Sequence, residues 1–173
     1  MSKLTILTAP DPVLKTRSKP VAEVNDSIRA LMADMLETMY AAPGIGLAAI
    51  QVGRPLRILV IDIAKPDKGE IAAPICVINP EIIWASEEMV EGEEGCLSVP
   101  EHYAGVERHA EIKIRYLDEN GVTRELKTNG LLSTVIQHEM DHLNGTLFID
   151  YISTLRRNMI LRKLAKLKKL AAE

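Results

Sequence analysis

The chain has 173 residues, 47% hydrophobic and 26% charged, with a formal net charge of −3 at pH 7. This is an ordinary globular composition, long enough to bury a core as a single domain over 1–173. No apolar run reaches the roughly 18–20 residues of a membrane span, residues 1–7 lack the pattern of a signal peptide, and two cysteines, Cys76 and Cys96, are too few for a secreted disulfide scaffold. A reducing, cytoplasmic location is therefore expected. The charge is unevenly placed. Residues 155–173 hold seven basic residues and one acid, which leaves 14 basic and 23 acidic residues in 1–154. An acidic body with a basic tail points to a polyanionic partner for the tail.

Residues 1–25 carry Pro10, Pro12 and Pro20 and read as irregular, with one short helix around 11–17. Asn25 or Asp26 caps an amphipathic helix to about Ala42, with Ile28, Leu31, Met32, Met35, Leu36, Met39 and Tyr40 at three- and four-residue steps. Residues 44–53 are rich in glycine and alanine, which lets other backbone or a ligand approach closely. No Gly-Lys-Ser/Thr follows and the third glycine of a dinucleotide fingerprint is absent. Gln51 is the one polar side chain of that passage. Residues 56–63 read as a strand, 64–74 as a loop, and 75–84 as a strand interrupted at Asn79-Pro80. Five glutamates within 87–94 suggest a solvated loop or strand face. Residues 112–116 alternate as a half-buried strand does, Glu119-Asn120-Gly121 is a hairpin turn, and 122–127 return. Thr128 or Asn129 caps a helix that ends at Asn144-Gly145. Ser153 caps a final basic helix, 155–173, whose Leu155, Met159, Leu161, Leu164, Leu167 and Leu170 are candidates to pack on the body. Sequential strands with separated helices make an α+β fold.

The helix before Asn144 contains His138-Glu139-Met140-Asp141-His142. At about 100° per residue, His138 and His142 stand on one face, where two imidazoles can share a cation and Glu139 can handle the proton of a bound water. A metal site needs a further protein ligand. In one class of zinc peptidase it follows as His-x-x-Gly-x-x-His; here Gly145 is in register, but the last position is Phe148. No histidine follows His142, and Asp150 and Glu173 are poorly placed acids. The third ligand must therefore come from upstream: Cys96, His102, His109 or a carboxylate. Cys96 is the best donor of these, because thiolate binds such metals more strongly than carboxylate. On the residues alone, a metal-dependent peptidase or amidase and a structural metal site in an RNA-binding module both remain open. A structural site needs a fourth protein ligand, and none is evident.

Three stretches taken together, Gly44-Ile45-Gly46-Leu47-Ala48-Ala49-Ile50-Gln51, Glu94-Gly95-Cys96-Leu97-Ser98 and His138-Glu139-Met140-Asp141-His142, resemble the three signature motifs of peptide deformylase, in the family's order. The resemblance implies antiparallel or mixed sheets packed around a central His-Glu-x-x-His helix, with a C-terminal helix. It implies removal of the formyl group from N-terminal formylmethionine of new proteins by a metal-bound hydroxide. Cys96, His138 and His142 would bind one divalent metal, Fe2+, with Zn2+, Ni2+ or Co2+ as substitutes. Glu139 would be the general acid–base, and the Gln51 amide and Leu97 N–H the oxyanion donors. Gly46 would offer backbone to the peptide. Ile45, Leu131 and Val135 are candidates for the methionine pocket, and Asp141 for a structural pair with Arg108. The basic tail would contact ribosomal RNA near the nascent-chain exit, in a bacterial cytoplasm.

Overall fold

The computed structural model describes residues 2–172. In chain order its elements are α1 (Asp26–Ala41), β1 (Gly46–Ala48), β2 (Ile58–Ile61), β3 (Ile75–Ala85), β4 (Met89–Cys96), β5 (Val99–His109), β6 (Glu111–Leu117), β7 (Thr123–Asn129), α2 (Gly130–Leu143) and α3 (Thr154–Ala171), with one short 3-10 turn before α1 and three between later elements. Five strands form one antiparallel sheet in the order β1-β2-β3-β6-β7, and β4 and β5 form a separate antiparallel hairpin.

Period-two alternation sets the layers. Ile58, Leu59, Val60 and Ile61 of β2 are all buried. Ile58 and Val60 pack with Leu31, Met35 and Met39 of α1, whereas Leu59 and Ile61 face the other way and pack with Val135, Ile136 and Leu143 of α2. The sheet is thus held between α1 and α2. Asn25 caps α1, its side chain accepting from the Ile28 N–H at 3.1 Å. A third cluster joins Val99, Ala104 and Val106 of β5 to Phe148 and to Ile160 and Leu164 of α3.

Several expectations from sequence are revised. The strand expected over 56–63 is limited to Ile58–Ile61. Pro80 does not interrupt β3; the ladder to β6 slips register there and continues to Ala85. Asn79 takes a φ of 51°, and its side chain accepts from the Val21 N–H and donates to the Val21 carbonyl at 2.8 and 2.9 Å. The bulge therefore serves to tie down the N-terminal segment. The acidic 87–94 stretch, read as a solvated loop or strand face, is largely the exposed strand β4, whereas its partner β5 carried no clear pattern in the sequence. On α3, Ile160 and Leu164 are buried, but Leu155, Met159, Leu167 and Leu170 are exposed. No helix among the described residues is long and apolar enough to cross a membrane.

The end of α2 is where the N-terminal segment crosses, the Ser18 N–H donating to the Leu143 carbonyl at 2.9 Å. Gly145 follows with a φ of 76°, and a Cβ there would lie 2.4 Å from the Lys15 carbonyl oxygen. Both the backbone conformation and the backbone contact exclude a side chain. Gly145→Ala is expected to destabilise the protein by about 2–3 kcal/mol, read as a lower denaturant midpoint at unchanged m. A wild-type midpoint would contradict this.

Candidate metal centre

Helix α2 brings His138, Glu139 and His142 into the interior, where all three are buried. One turn apart, the two imidazoles meet edge to face at 5.0 Å between centroids. Cys96 arrives from the end of β4, its Sγ 3.4 Å from His142 Nε2. The donor atoms of Cys96, His138 and His142 all lie within 4.8 Å of one another. Tetrahedral donors around an ion at zinc-like bond lengths are separated by roughly 3.5 Å, so little movement is needed to close on one cation. Of the upstream donors considered from sequence, Cys96 alone joins the two histidines. His109 Nδ1 instead lies 2.8 Å from the Ser86 carbonyl, and His102 sits in the cleft wall outside the cluster.

The imidazoles are oriented from behind. His138 Nδ1 donates to Glu94 Oε1 at 2.8 Å, which leaves Nε2 as the nitrogen facing Cys96 and Glu139. Glu94 takes two further bonds from Arg108, at 2.8 Å each, and Arg108 also bonds Asp141 at 2.6 Å. Tyr151 completes the chain by donating to Asp141 at 2.7 Å. Burial alone would raise the Glu94 carboxyl, but the bonds from Arg108 and His138 outweigh it and hold it down at about 2. Glu94 is therefore a fixed anion. The expected Arg108–Asp141 pair is present, whereas Glu94, Arg108 and Tyr151 as a support for His138 were missed. Glu94 belonged both to an acidic run read as solvated and to the motif Glu94-Gly95-Cys96-Leu97-Ser98, which assigned it no role; the chemical clue was that a ligating imidazole needs an acceptor for its second nitrogen.

Glu139 differs from Glu94 in having no strong partner. Its Oε1 is 3.8 Å from His138 Nε2, and its Oε2 is buried with no hydrogen bond. Burial pushes the carboxyl up to about 7, into the range of a general base; a dication alongside acts in the opposite direction. Gly46 makes room for it, since a Cβ there would lie 2.7 Å from Glu139 Oε1. Gln51, only 1% exposed, is held at both ends. Its Oε1 accepts from the Ala48 N–H at 2.9 Å, and its Nε2 donates to Ser98 Oγ at 3.0 Å and lies 3.5 Å from Cys96 Sγ. Leu97 occupies the turn between β4 and β5, its side chain against Gly44.

A cleft of about 580 Å³ opens over these groups, a volume typical of small-ligand sites. It is lined by Ile45, Gly46, Gln51, Leu97, Leu131 and Val135 together with Cys96, His138 and Glu139. Val135 is buried in the wall, whereas Ile45 and Leu131 are 42% and 48% exposed at the rim. The arrangement sets an apolar recess, an oriented amide and a buried carboxyl without a hydrogen bond beside three metal donors, of which Cys96 and His138 line the cleft and His142 lies behind them.

Known proteins share this architecture. The family model described as polypeptide deformylase matches residues 3–158. Peptide deformylase of Mesorhizobium japonicum is 54% identical over 164 residues, covering 95% of this chain and 92% of its own. The crystal structure of peptide deformylase from Ehrlichia chaffeensis superposes with a TM-score of 0.93 at 41% identity, covering 99% of this chain and 100% of that one. A second structure of the Ehrlichia chaffeensis enzyme, in complex with actinonin, gives 0.91 at 45% identity over 96% of this chain and 98% of its own. The chain belongs to the polypeptide deformylase family and is a hydrolase that removes the N-formyl group from newly made proteins.

Proposed function

We propose that deformylation takes place in the Cys96–His138–His142 cleft, on one divalent ion held by those three side chains. The convergence of the three donors beside an unpartnered, buried Glu139 is the observation that carries this reading. One thiolate and two imidazoles suit Fe2+, which we take as the native ion, and also Zn2+, Ni2+ or Co2+. Such an ion supplies Lewis acidity, bringing the pKa of a coordinated water toward neutrality. The remaining steps belong to the chain's own groups.

Glu139 takes the proton of the attacking water and passes one to the departing amine. As water adds to the formyl carbon, negative charge grows on the formyl oxygen. The Gln51 Nε2–H and the Leu97 backbone N–H receive it. The bond from the Ala48 N–H to Gln51 Oε1 decides which end of the amide faces Cys96, so the donor is oriented before substrate arrives. β1 is an edge strand of the five-stranded sheet, with Gly46 in the cleft wall, so an extended peptide can add to it as a further strand. The methionine side chain then enters the recess formed by Val135, Ile45 and Leu131. Family membership makes N-formylated nascent chains the substrate. Formylmethionine as the first residue and the bacterial cytoplasm as the setting follow from the same reading.

The exposed basic face of α3, including Arg162 and Lys169, is proposed to contact ribosomal RNA near the nascent-chain exit. Because Ile160 and Leu164 of this helix are core residues, truncation would disturb the fold, and charge reversal is the better test. Arg162→Glu/Lys169→Glu is expected to weaken co-sedimentation with ribosomes and flatten its salt dependence; unchanged co-sedimentation contradicts the contact.

For the chemistry, Glu139→Gln is expected to keep one metal per chain yet lose roughly 10²–10⁴-fold in kcat on a formyl-Met peptide. An active variant would remove Glu139 from the proton transfers. Loss of the metal in this variant would assign Glu139 to the binding of the ion.

A further inference from the structure

The β4–β5 ladder breaks beside the metal centre. Cys96 pairs with Val99, but Gly95 pairs with Tyr103, so Pro100, Glu101 and His102 loop out of the hairpin. Glu101 holds a φ of 66°, a left-handed conformation that residues with a side chain seldom adopt. The bulge places Glu101 and His102 between two cavities. On one side they line the catalytic cleft. On the other they line a second groove of about 380 Å³, whose far wall is Lys163, Lys166, Leu167 and Leu170 of α3. Those four positions form one stripe of the helix. The neighbouring stripe, Ile160 and Leu164, is buried. Arg156 Nη2 also donates to the Tyr103 carbonyl at 3.0 Å, fastening the helix to the strand just past the bulge. The groove is therefore built on fixed elements and runs on from the catalytic cleft. Its charge is two lysines against the single carboxylate of Glu101, with two exposed leucines beyond.

We propose that this groove is a distal substrate subsite that takes an acidic side chain of the formylated peptide, downstream of its first residue. The proposal rests on the reading of the adjoining cleft as the deformylation site. An extended peptide advances about 3.3 Å per residue; on this proposal a formylated dipeptide stays within the cleft and a longer chain crosses the bulge, whose Glu101 and His102 line both cavities, into the groove. There Lys163 and Lys166 meet the carboxylate, and Leu167 and Leu170 cover the apolar part of the same segment. Such charges select between substrates more than they add affinity.

The test uses C-terminally amidated formyl-Met hexapeptides, alanine elsewhere, with Asp, Ala or Lys at the third, fourth or fifth position, and formyl-Met-Ala-amide as the short reference. Amidation makes the side chain the only carboxylate. At one or more of these positions the wild-type enzyme is expected to favour Asp over Lys by roughly fivefold in kcat/KM at low salt, a ratio that shrinks at high salt. Lys163→Glu/Lys166→Glu is expected to reverse the order and to leave formyl-Met-Ala-amide unchanged. Lys169→Glu, on another face of α3, is expected to keep the wild-type order. The same Asp-to-Lys ratio in wild type and the double variant, or no ratio at any position in wild type, overturns the subsite. Failure of wild type on formyl-Met-Ala-amide itself overturns the underlying reading of the cleft, and the subsite with it.

Discussion

A buried arginine holds the site together. Arg108 on β5 is 5% exposed and makes two bonds to Glu94 on β4 and one to Asp141 on α2. Through Glu94 it reaches His138, so one guanidinium fixes the hairpin, the helix and the tautomer of a candidate ligand together. An exposed ion pair contributes about 0–1 kcal/mol, whereas removing one member of a buried pair costs roughly 3–5 kcal/mol, because the other is left uncompensated. The value of the network lies less in net stability than in geometry. It allows Glu94 to remain an anion in the interior, whereas Glu139, nearby but bonded to no guanidinium, is raised by burial.

The site lies where three packed cores meet. Cys96 packs against the cluster that joins β5 to α3. Leu97, one residue on, packs against the α1 cluster, and Val135 belongs to the cluster under α2. Cys96, Leu97 and Val135 are thus each anchored in a different core. β2 couples the second and third of these by burying alternate side chains on opposite faces. Gly46 is the point of closest approach: β1 can lie over Glu139 only because no side chain intervenes.

What was legible in the sequence follows from which patterns have a period. α1 and α2 bury one face each, and their boundaries were close to those observed. The Cys96, His138 and His142 set was legible because few residue types hold such an ion and the downstream segment offered none. β4 could be read only as a solvated loop or strand face because most of it is exposed, and β5 was hidden because one of the alternate residues it buries, Ala104, Val106 and Arg108, is charged. Glu94 opened one of the three motifs, but its role behind His138 depends on the pairing that sets Arg108 within reach, 14 residues away. Pro80 misled in the opposite sense, since a bulge absorbs the missing donor.

The central claim is that a thiolate and two imidazoles, delivered by two separate segments, share one ion. X-ray absorption of the anaerobically prepared protein, loaded with Zn2+ for reference distances, tests this most directly. The account predicts one sulfur scatterer at about 2.3 Å and two imidazole nitrogens at about 2.0–2.1 Å. A site with only oxygen and nitrogen scatterers, or with a sulfur signal that survives Cys96→Ser, would contradict it.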